Sequence, residues 1–315
     1  MDINSMKVFF LTFIIFAMAL SDLKAQSPVD QSAVIGKWNL TFQTDEGSSP
    51  GWLEIKQSGR IALTGQYVGS LGSARPISHI KFSEEDQQFS FTIPPQWESG
   101  DDDLNFRFRL EGEKLTGTIL RGSEVINWEG KRAPSLVRKD SPEWAEPVSL
   151  LDRNMTKWNL PENNNFAMTN GILVNSEAGG NLISKDKFED FKLHVEFRYP
   201  EGSNSGIYLR GRYEIQIADQ YGMEPDERTI GGVYGFIPPS ENAAKQAGEW
   251  QIMDIKLVGR MITVTLNGVE VISNRPIKGI TGGALDSNEE QPGPIMLQGD
   301  HGPVEFRKVV ITPAQ

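Results

Sequence analysis

Phe191-Lys-Leu-His-Val-Glu-Phe197 alternates apolar and polar residues without a break. Period two puts phenylalanine, leucine and valine on one face, the mark of a half-buried strand. His194 then lies on the polar face beside Glu196. Met253–Val271 continues as strand, turn, strand, turn, strand. Its second turn, Asn267-Gly268, is a strong hairpin signal because both residues tolerate positive φ. Helix signals are scarce, and Ser240–Lys245 is read as one short turn. Long alternating strands predict a two-sheet β-sandwich over residues 148–315.

Upstream, residues 26–132 read as a smaller β domain. Trp38-Asn-Leu-Thr-Phe42, Leu53-Glu-Ile-Lys56, Phe89-Ser-Phe-Thr-Ile93, Leu104-Asn-Phe-Arg-Phe-Arg-Leu110 and Leu115-Thr-Gly-Thr-Ile119 all alternate. Short strands with frequent turns predict a small antiparallel barrel or sandwich. The opening Ile35-Gly-Lys-Trp-Asn-Leu40 is lipocalin-like. Ser99-Gly-Asp-Asp-Asp103 is read as a solvated loop and His79 as an ordinary strand histidine. Residues 133–147 carry prolines and no apolar period, so they are read as the linker.

Composition narrows the function. The 315 residues carry 31 Lys+Arg against 42 Asp+Glu, a formal charge of −11. That balance argues against a nucleic-acid binder. With no cysteine, the chain has no disulfides, no Cys-ligated metal and no thiol nucleophile. A hydrophobic share of 38% builds cores but not a multi-span membrane protein. Lys7 precedes the mostly apolar run Val8–Leu20, and Ala25 precedes Gln26. Residues 1–25 therefore read as a signal peptide, and the mature protein as exported, in a bacterial periplasm or outside the cell. No G-x-G-x-x-G fingerprint is present, so no redox cofactor is expected.

Two polar groupings stand out. In Ile207-Tyr-Leu-Arg210 and Glu214-Ile-Gln216, the isoleucines and leucine should face the core. Tyr208, Arg210, Glu214 and Gln216 then share the other face. A three-residue turn, Gly211–Tyr213, would place Arg210 opposite Glu214. That arrangement reads either as a surface salt bridge or as a ligand-facing sheet. Gln298-Gly-Asp-His301-Gly302 is the second grouping. Its glycines allow close backbone approach, and a neutral imidazole accepts a proton near pH 7. Asp300 and Asp286 are candidates to complete a divalent metal site with His301. Trp250 and Tyr234 are read as sugar-stacking or buried aromatics. Gly231-Gly232 with Tyr234 suggests a rim loop.

An ordered set of motifs carries a resemblance. Leu150-Leu-Asp-Arg-Asn154 with Trp158 opens it. Asn204-Ser-Gly-Ile-Tyr-Leu-Arg210 and Tyr213-Glu-Ile-Gln-Ile-Ala-Asp219 follow. Gly231-Gly-Val-Tyr-Gly235, Gly248-Glu-Trp250, Leu266-Asn-Gly268, Gly293-Pro-Ile-Met-Leu-Gln-Gly-Asp-His-Gly302 and Phe306-Arg307 complete it. Residues 148–313 thus resemble the 3-keto-disaccharide hydrolases, also described as 3-keto-glucoside 1,2-lyases and 3-keto-2-hydroxy-glucal hydratases. Gln251 and Lys308 depart from that pattern, each standing where the family usually has asparagine.

The resemblance implies a concanavalin-like jelly roll and a glycoside already oxidised at C3. A base removes the acidified C2 proton, the aglycone leaves from C1, and water adds to the resulting glucal. His301 or Glu214 would be the base, and Arg210 or a bound metal would stabilise the enolate. Gln216, Gln298 and Asn204 would hold hydroxyls, with Tyr208 and Asp219 also candidates for substrate contact. A separate C3-oxidising dehydrogenase would be the pathway partner. Two other classes fit the residues. One is a conventional glycoside hydrolase using Glu214 and Asp219, although their odd spacing puts them on opposite faces of one strand. The other is a sugar-binding module without turnover.

Overall fold

The alternating segments of the N-terminal half become eight strands whose apolar positions turn inward. The computed structural model describes residues 30–315 apart from Glu46 and Ser99. The leader read at residues 1–25 lies outside the described residues, as does Ser99 of the acidic loop. The strands are β1 (Gly36–Thr44), β2 (Gly47–Ser58), β3 (Ala62–Val68), β4 (Arg75–Ser83), β5 (Gln88–Ile93), β6 (Leu104–Glu111), β7 (Lys114–Arg121) and β8 (Glu124–Arg132). They pair in sequence order, and β1 also pairs with β8, so the barrel closes. Phe91 stacks on Phe106 at 4.3 Å, and Phe89 on Phe108 at 5.3 Å, inside it. The barrel alternative in the sequence reading is the one realised.

The C-terminal half continues as β9 (Val148–Ser149), β10 (Trp158–Asn159), β11 (Phe166–Thr169), β12 (Ile172–Asn175), β13 (Leu182–Phe188) and β14 (Phe191–Arg198). It is completed by β15 (Asn204–Leu209), β16 (Tyr213–Ala218), β17 (Gln251–Val258), β18 (Met261–Leu266), β19 (Val269–Pro276), β20 (Gly293–Leu297) and β21 (Val304–Pro313). One sheet has the order β10-β13-β20-β15-β16. The other runs β11-β12-β21-β14-β17-β18-β19, with β9 paired to β21. Leu193, Val195 and Phe197 from one layer and Ile207, Ile215, Ile217 and Leu297 from the other fill the space between. This is the expected jelly-roll sandwich. Asn267 and Gly268 take φ of 51° and 87°, as the hairpin signal requires. Ser240–Lys245 is irregular rather than helical; the helical element among the described residues is a 3₁₀ turn, Gln31–Val34. No helix there is long and apolar enough to cross a membrane.

Barrel and sandwich form one compact unit, Gln31–Gln315. Leu53 and Ile55 of β2 point into the barrel, so Trp52 points out. Trp52 and Val68 join the sandwich core, and Trp52 meets Phe236 edge-on at 5.2 Å. Gly279 leaves room for this indole: a Cβ there would lie 2.1 Å from Trp52 Nε1. The linker is also pinned. Arg138 donates to Asp190 at 2.6 Å, and Arg260 donates to the Pro134 carbonyl at 2.8 Å.

Candidate active site

The site is built on the β15–β16 hairpin. Tyr208 pairs with Glu214, Gly206 with Gln216, and Asn204 with Ala218. Ile207, Ile215 and Ile217 face the core, so Tyr208, Glu214 and Gln216 share the opposite face, as the alternation required. The turn itself differs from expectation. It consists of Arg210–Arg212, one residue earlier than the sequence suggested, because Leu209 already pairs with Tyr213. Arg210 adopts φ 53° and Gly211 φ 65°. The Arg210 side chain leaves the Glu214 face and is buried at 1% exposure. Its Nη2 donates to Asp190 at 2.8 Å. Arg210 is therefore a structural cation and not an enolate-stabilising group.

Glu214 is only 5% exposed. Burial pushes its carboxyl up to about 8, a rise opposed by the Tyr208 hydrogen bond and the nearby His301. The Tyr208 hydroxyl lies 2.9 Å from Glu214 Oε2 and 3.0 Å from the Gly282 carbonyl. One hydroxyl proton cannot serve both acceptors. Tyr208 donates to one of the two at a time; when Glu214 holds a proton the carboxyl can donate to Tyr208, leaving the hydroxyl proton for Gly282. Thr281 Oγ1 accepts the Glu214 N–H at 3.0 Å and fixes the strand behind the carboxyl.

The next row of the sheet is a floor. Gly206 lies between Gln216, its cross-strand partner, and Gln298, whose N–H donates to the Gly206 carbonyl at 2.9 Å. Both glutamine Oε1 atoms are buried and have no partner among the described residues. Unpaired buried acceptors are costly, so such atoms suit a ligand that brings hydroxyl donors. A Cβ on Gly206 would lie 2.6 Å from Glu214 Oε1. Gly206→Ala is therefore expected to displace the carboxyl. It should lower turnover about 10²-fold while far-UV circular dichroism stays native. An unimpaired variant would remove Gly206 from the floor.

Beyond the floor lies the Gln298–Gly302 turn. His301 Nδ1 is 2.6 Å from Asp300 Oδ1. Asp300 holds the His301 pKa above its usual value, and His301 holds Asp300 low. Glu214 and His301 are close enough for each charge to bias the other. Asn204 borders this turn: a Cβ on Gly302 would lie 3.2 Å from the Asn204 carbonyl. Tyr234 is half-buried beside Glu214, and its N–H donates to the Glu214 carbonyl at 3.0 Å. Gly232 and Val233 of the same loop also bond along β16.

Several expected members are elsewhere. Trp250 sits on the outer face of the other sheet, with Arg198 and Arg307 at 4.9 Å and 4.4 Å from its ring centroid. It is neither core nor a site aromatic. Asp219 accepts the Gly202 N–H at 2.9 Å and caps the β14–β15 turn, so it makes no carboxylate pair with Glu214. Asp286 is held by Arg212 at 2.6 Å beyond the hairpin turn. No group of three or more His, Asp or Glu among the described residues converges on a metal-sized point. The set His301, Asp300 and Asp286 therefore does not fit a divalent ion. Gly206, Thr281 and Gly282 were not singled out from sequence; the Thr281-Gly-Gly283 run was the available signal.

A jelly-roll sandwich carrying this acid–base cluster over a hydroxyl-matched floor is a carbohydrate-active enzyme. Residues 146–312 match the model of the 3-keto-alpha-glucoside-1,2-lyase-like domain. The chain belongs to that family. Among solved structures, a proposed glycosyl hydrolase from Parabacteroides distasonis is 28% identical, with a TM-score of 0.47. It aligns over 52% of this chain and 82% of its own. A second from the same organism is 27% identical at TM-score 0.43, covering 53% and 98%. A non-specific endo-beta-1,3(4)-glucanase is 11% identical at TM-score 0.37, covering 55% and 96%. No curated protein matches the chain.

Proposed function

We propose that the protein cleaves 3-keto-glycosides by β-elimination and then hydrates the product. The observation that carries this reading is the pairing of a buried, proton-holding Glu214 with the Asp300–His301 dyad across the Gly206 floor. The C3 ketone acidifies C2–H. His301 takes that proton, and the electrons form C1=C2 as the C1–O bond breaks. Glu214 gives its proton to the departing oxygen. The unpaired Oε1 atoms of Gln216 and Gln298 accept from sugar hydroxyls and hold the ring on the floor. Water then adds to the 2-hydroxy-3-keto-glucal. Its hydroxyl goes to C1 and its proton to Glu214, while His301 returns a proton to C2. Both groups are reset, and the net result is hydrolysis to a 3-keto sugar. Oxidation at C3 belongs to a separate dehydrogenase. The leader-like sequence of residues 1–25 supports a reaction outside the cytoplasm.

NMR in D₂O with 3-keto-glucosides and their unoxidised parents tests this. Release of aglycone from the keto forms alone, with deuterium entering C2, is expected. Cleavage of the parents would overturn the proposal in favour of conventional hydrolysis. The pH profile gives a second test. The reactive form has Glu214 protonated and His301 neutral. Activity should rise through the elevated His301 pKa, above 6.5, and fall again near 8. A profile still rising past pH 9 would remove Glu214 as the acid.

A further inference from the structure

The family match begins at residue 146 and leaves the barrel without an assigned role. Its contacts supply one. The loop between β3 and β4 reaches the segment that covers the Glu214 row. Gly283 N–H donates to the Ser70 carbonyl at 2.8 Å. Gly282, whose carbonyl accepts from Tyr208, lies directly on Gly72: a Cβ on Gly282 would come within 2.3 Å of the Gly72 carbonyl. Gly235, next to Tyr234, packs on Ser73 and Ala74: a Cβ there would lie 2.9 Å from each. From the barrel loop to the Glu214 carboxyl is thus one glycine and one tyrosine hydroxyl.

This loop is cross-braced to the segment after β5. Ser73 and Gln96 exchange two hydrogen bonds, of 3.0 Å and 2.9 Å. Arg75 grips Glu98 through two contacts, of 2.6 Å and 3.2 Å, and Glu98 accepts the Gln96 N–H at 2.8 Å. On this braced wall Leu71 and Trp97 remain 59% and 65% exposed. The Trp97 ring lies over Gly72, since a Cβ there would meet Trp97 Cδ1 at 2.7 Å. Large apolar groups left in water on the loops that back Gly282 and Tyr208 contribute nothing to either core.

The two ends of the site therefore differ in chemistry. Toward His301 lie unpaired amides and a carboxylate, suited to a hydroxyl-rich ring. Toward the barrel lie an indole and a leucine, suited to an apolar sugar face or an aryl group. We propose that the barrel is the leaving-group half of the active site, with Trp97 and Leu71 as the platform for a saccharide or aryl aglycone. This rests on the elimination reading, in which Glu214, the reactive group next to the barrel, protonates the leaving oxygen.

The test compares kcat/KM for two 3-keto-glucosides, one with an aryl or glucosyl leaving group and one with methyl. Trp97→Ala and Leu71→Ala are surface changes that should leave the melting temperature native. In each variant the ratio of the two values is expected to fall, about tenfold for Trp97→Ala, through KM for the larger substrate. A ratio equal to that of the unaltered protein overturns the proposal. If the unaltered protein turns over neither substrate, the elimination reading fails, and the platform is judged separately by titration with an unoxidised aryl glucoside. Weaker binding by Trp97→Ala then supports a sugar-binding platform, and equal binding overturns it.

Discussion

Replacing Glu214 with glutamine is expected to lower turnover of a 3-keto-glucoside by about 10²–10⁴-fold. The same change should make the protein more stable at alkaline pH. Burial pushes the carboxyl of the folded protein up to about 8, against an ordinary value of 4.5. Between those values the folded state binds a proton that the unfolded state has released. Stability from this group is complete below 4.5 and is lost as pH rises through 8, at about 1.4 kcal/mol for each unit. Glutamine carries no such dependence. Melting temperatures of the two proteins should therefore converge near pH 5 and separate by pH 9, with the variant higher. Parallel curves across that range would show that Glu214 is ionised in the native protein and would remove it as a proton donor.

The second large effect lies away from the chemistry. Asp190 receives Arg210 at 2.8 Å, Arg138 at 2.6 Å and the Gly259 N–H at 2.8 Å. It ties the hairpin turn, the linker and the β17–β18 turn to one carboxylate. Asp190→Ala strands the guanidinium of Arg210 in the interior, at an expected cost of about 3–5 kcal/mol. Urea denaturation measures this. Arg210→Met is the informative companion, because Asp190 keeps Arg138 and Gly259. That variant should fold and retain turnover. A folded Arg210→Met protein with turnover abolished would return Arg210 to the reacting centre.

How far the site could be read from sequence divides along physical lines. Strand faces were legible because alternation has a local cause, so the grouping of Tyr208, Glu214 and Gln216 stood. The departure of Arg210 was not legible. It depends on a non-glycine residue taking positive φ, compensated by Asp190, twenty residues earlier. Trp250 was misplaced for a related reason. The two arginines that engage its ring come from β14 and from β21, and nothing near position 250 announces them. The barrel's place beside the site rests on glycine-to-glycine contacts about two hundred positions apart. Motif reading along the chain has no access to such contacts. Alternation marked a small antiparallel barrel or sandwich upstream and a two-sheet sandwich downstream. Closure of the barrel depends on the β1–β8 pairing, almost a hundred residues apart in sequence, and the jelly roll was implied by the family resemblance.

The loop that carries Tyr234 has a consequence beyond the rim. β16 is the last strand of its sheet, and one side of its backbone would otherwise be open. Residues 231–234 occupy that side through bonds to Gln216 and Glu214. Loosening them exposes an apolar edge able to pair with another chain. Damage to this loop would then appear first as aggregation during expression and only afterwards as lost catalysis. The strand bearing the reactive carboxyl is thus also the place where the molecule guards its own solubility.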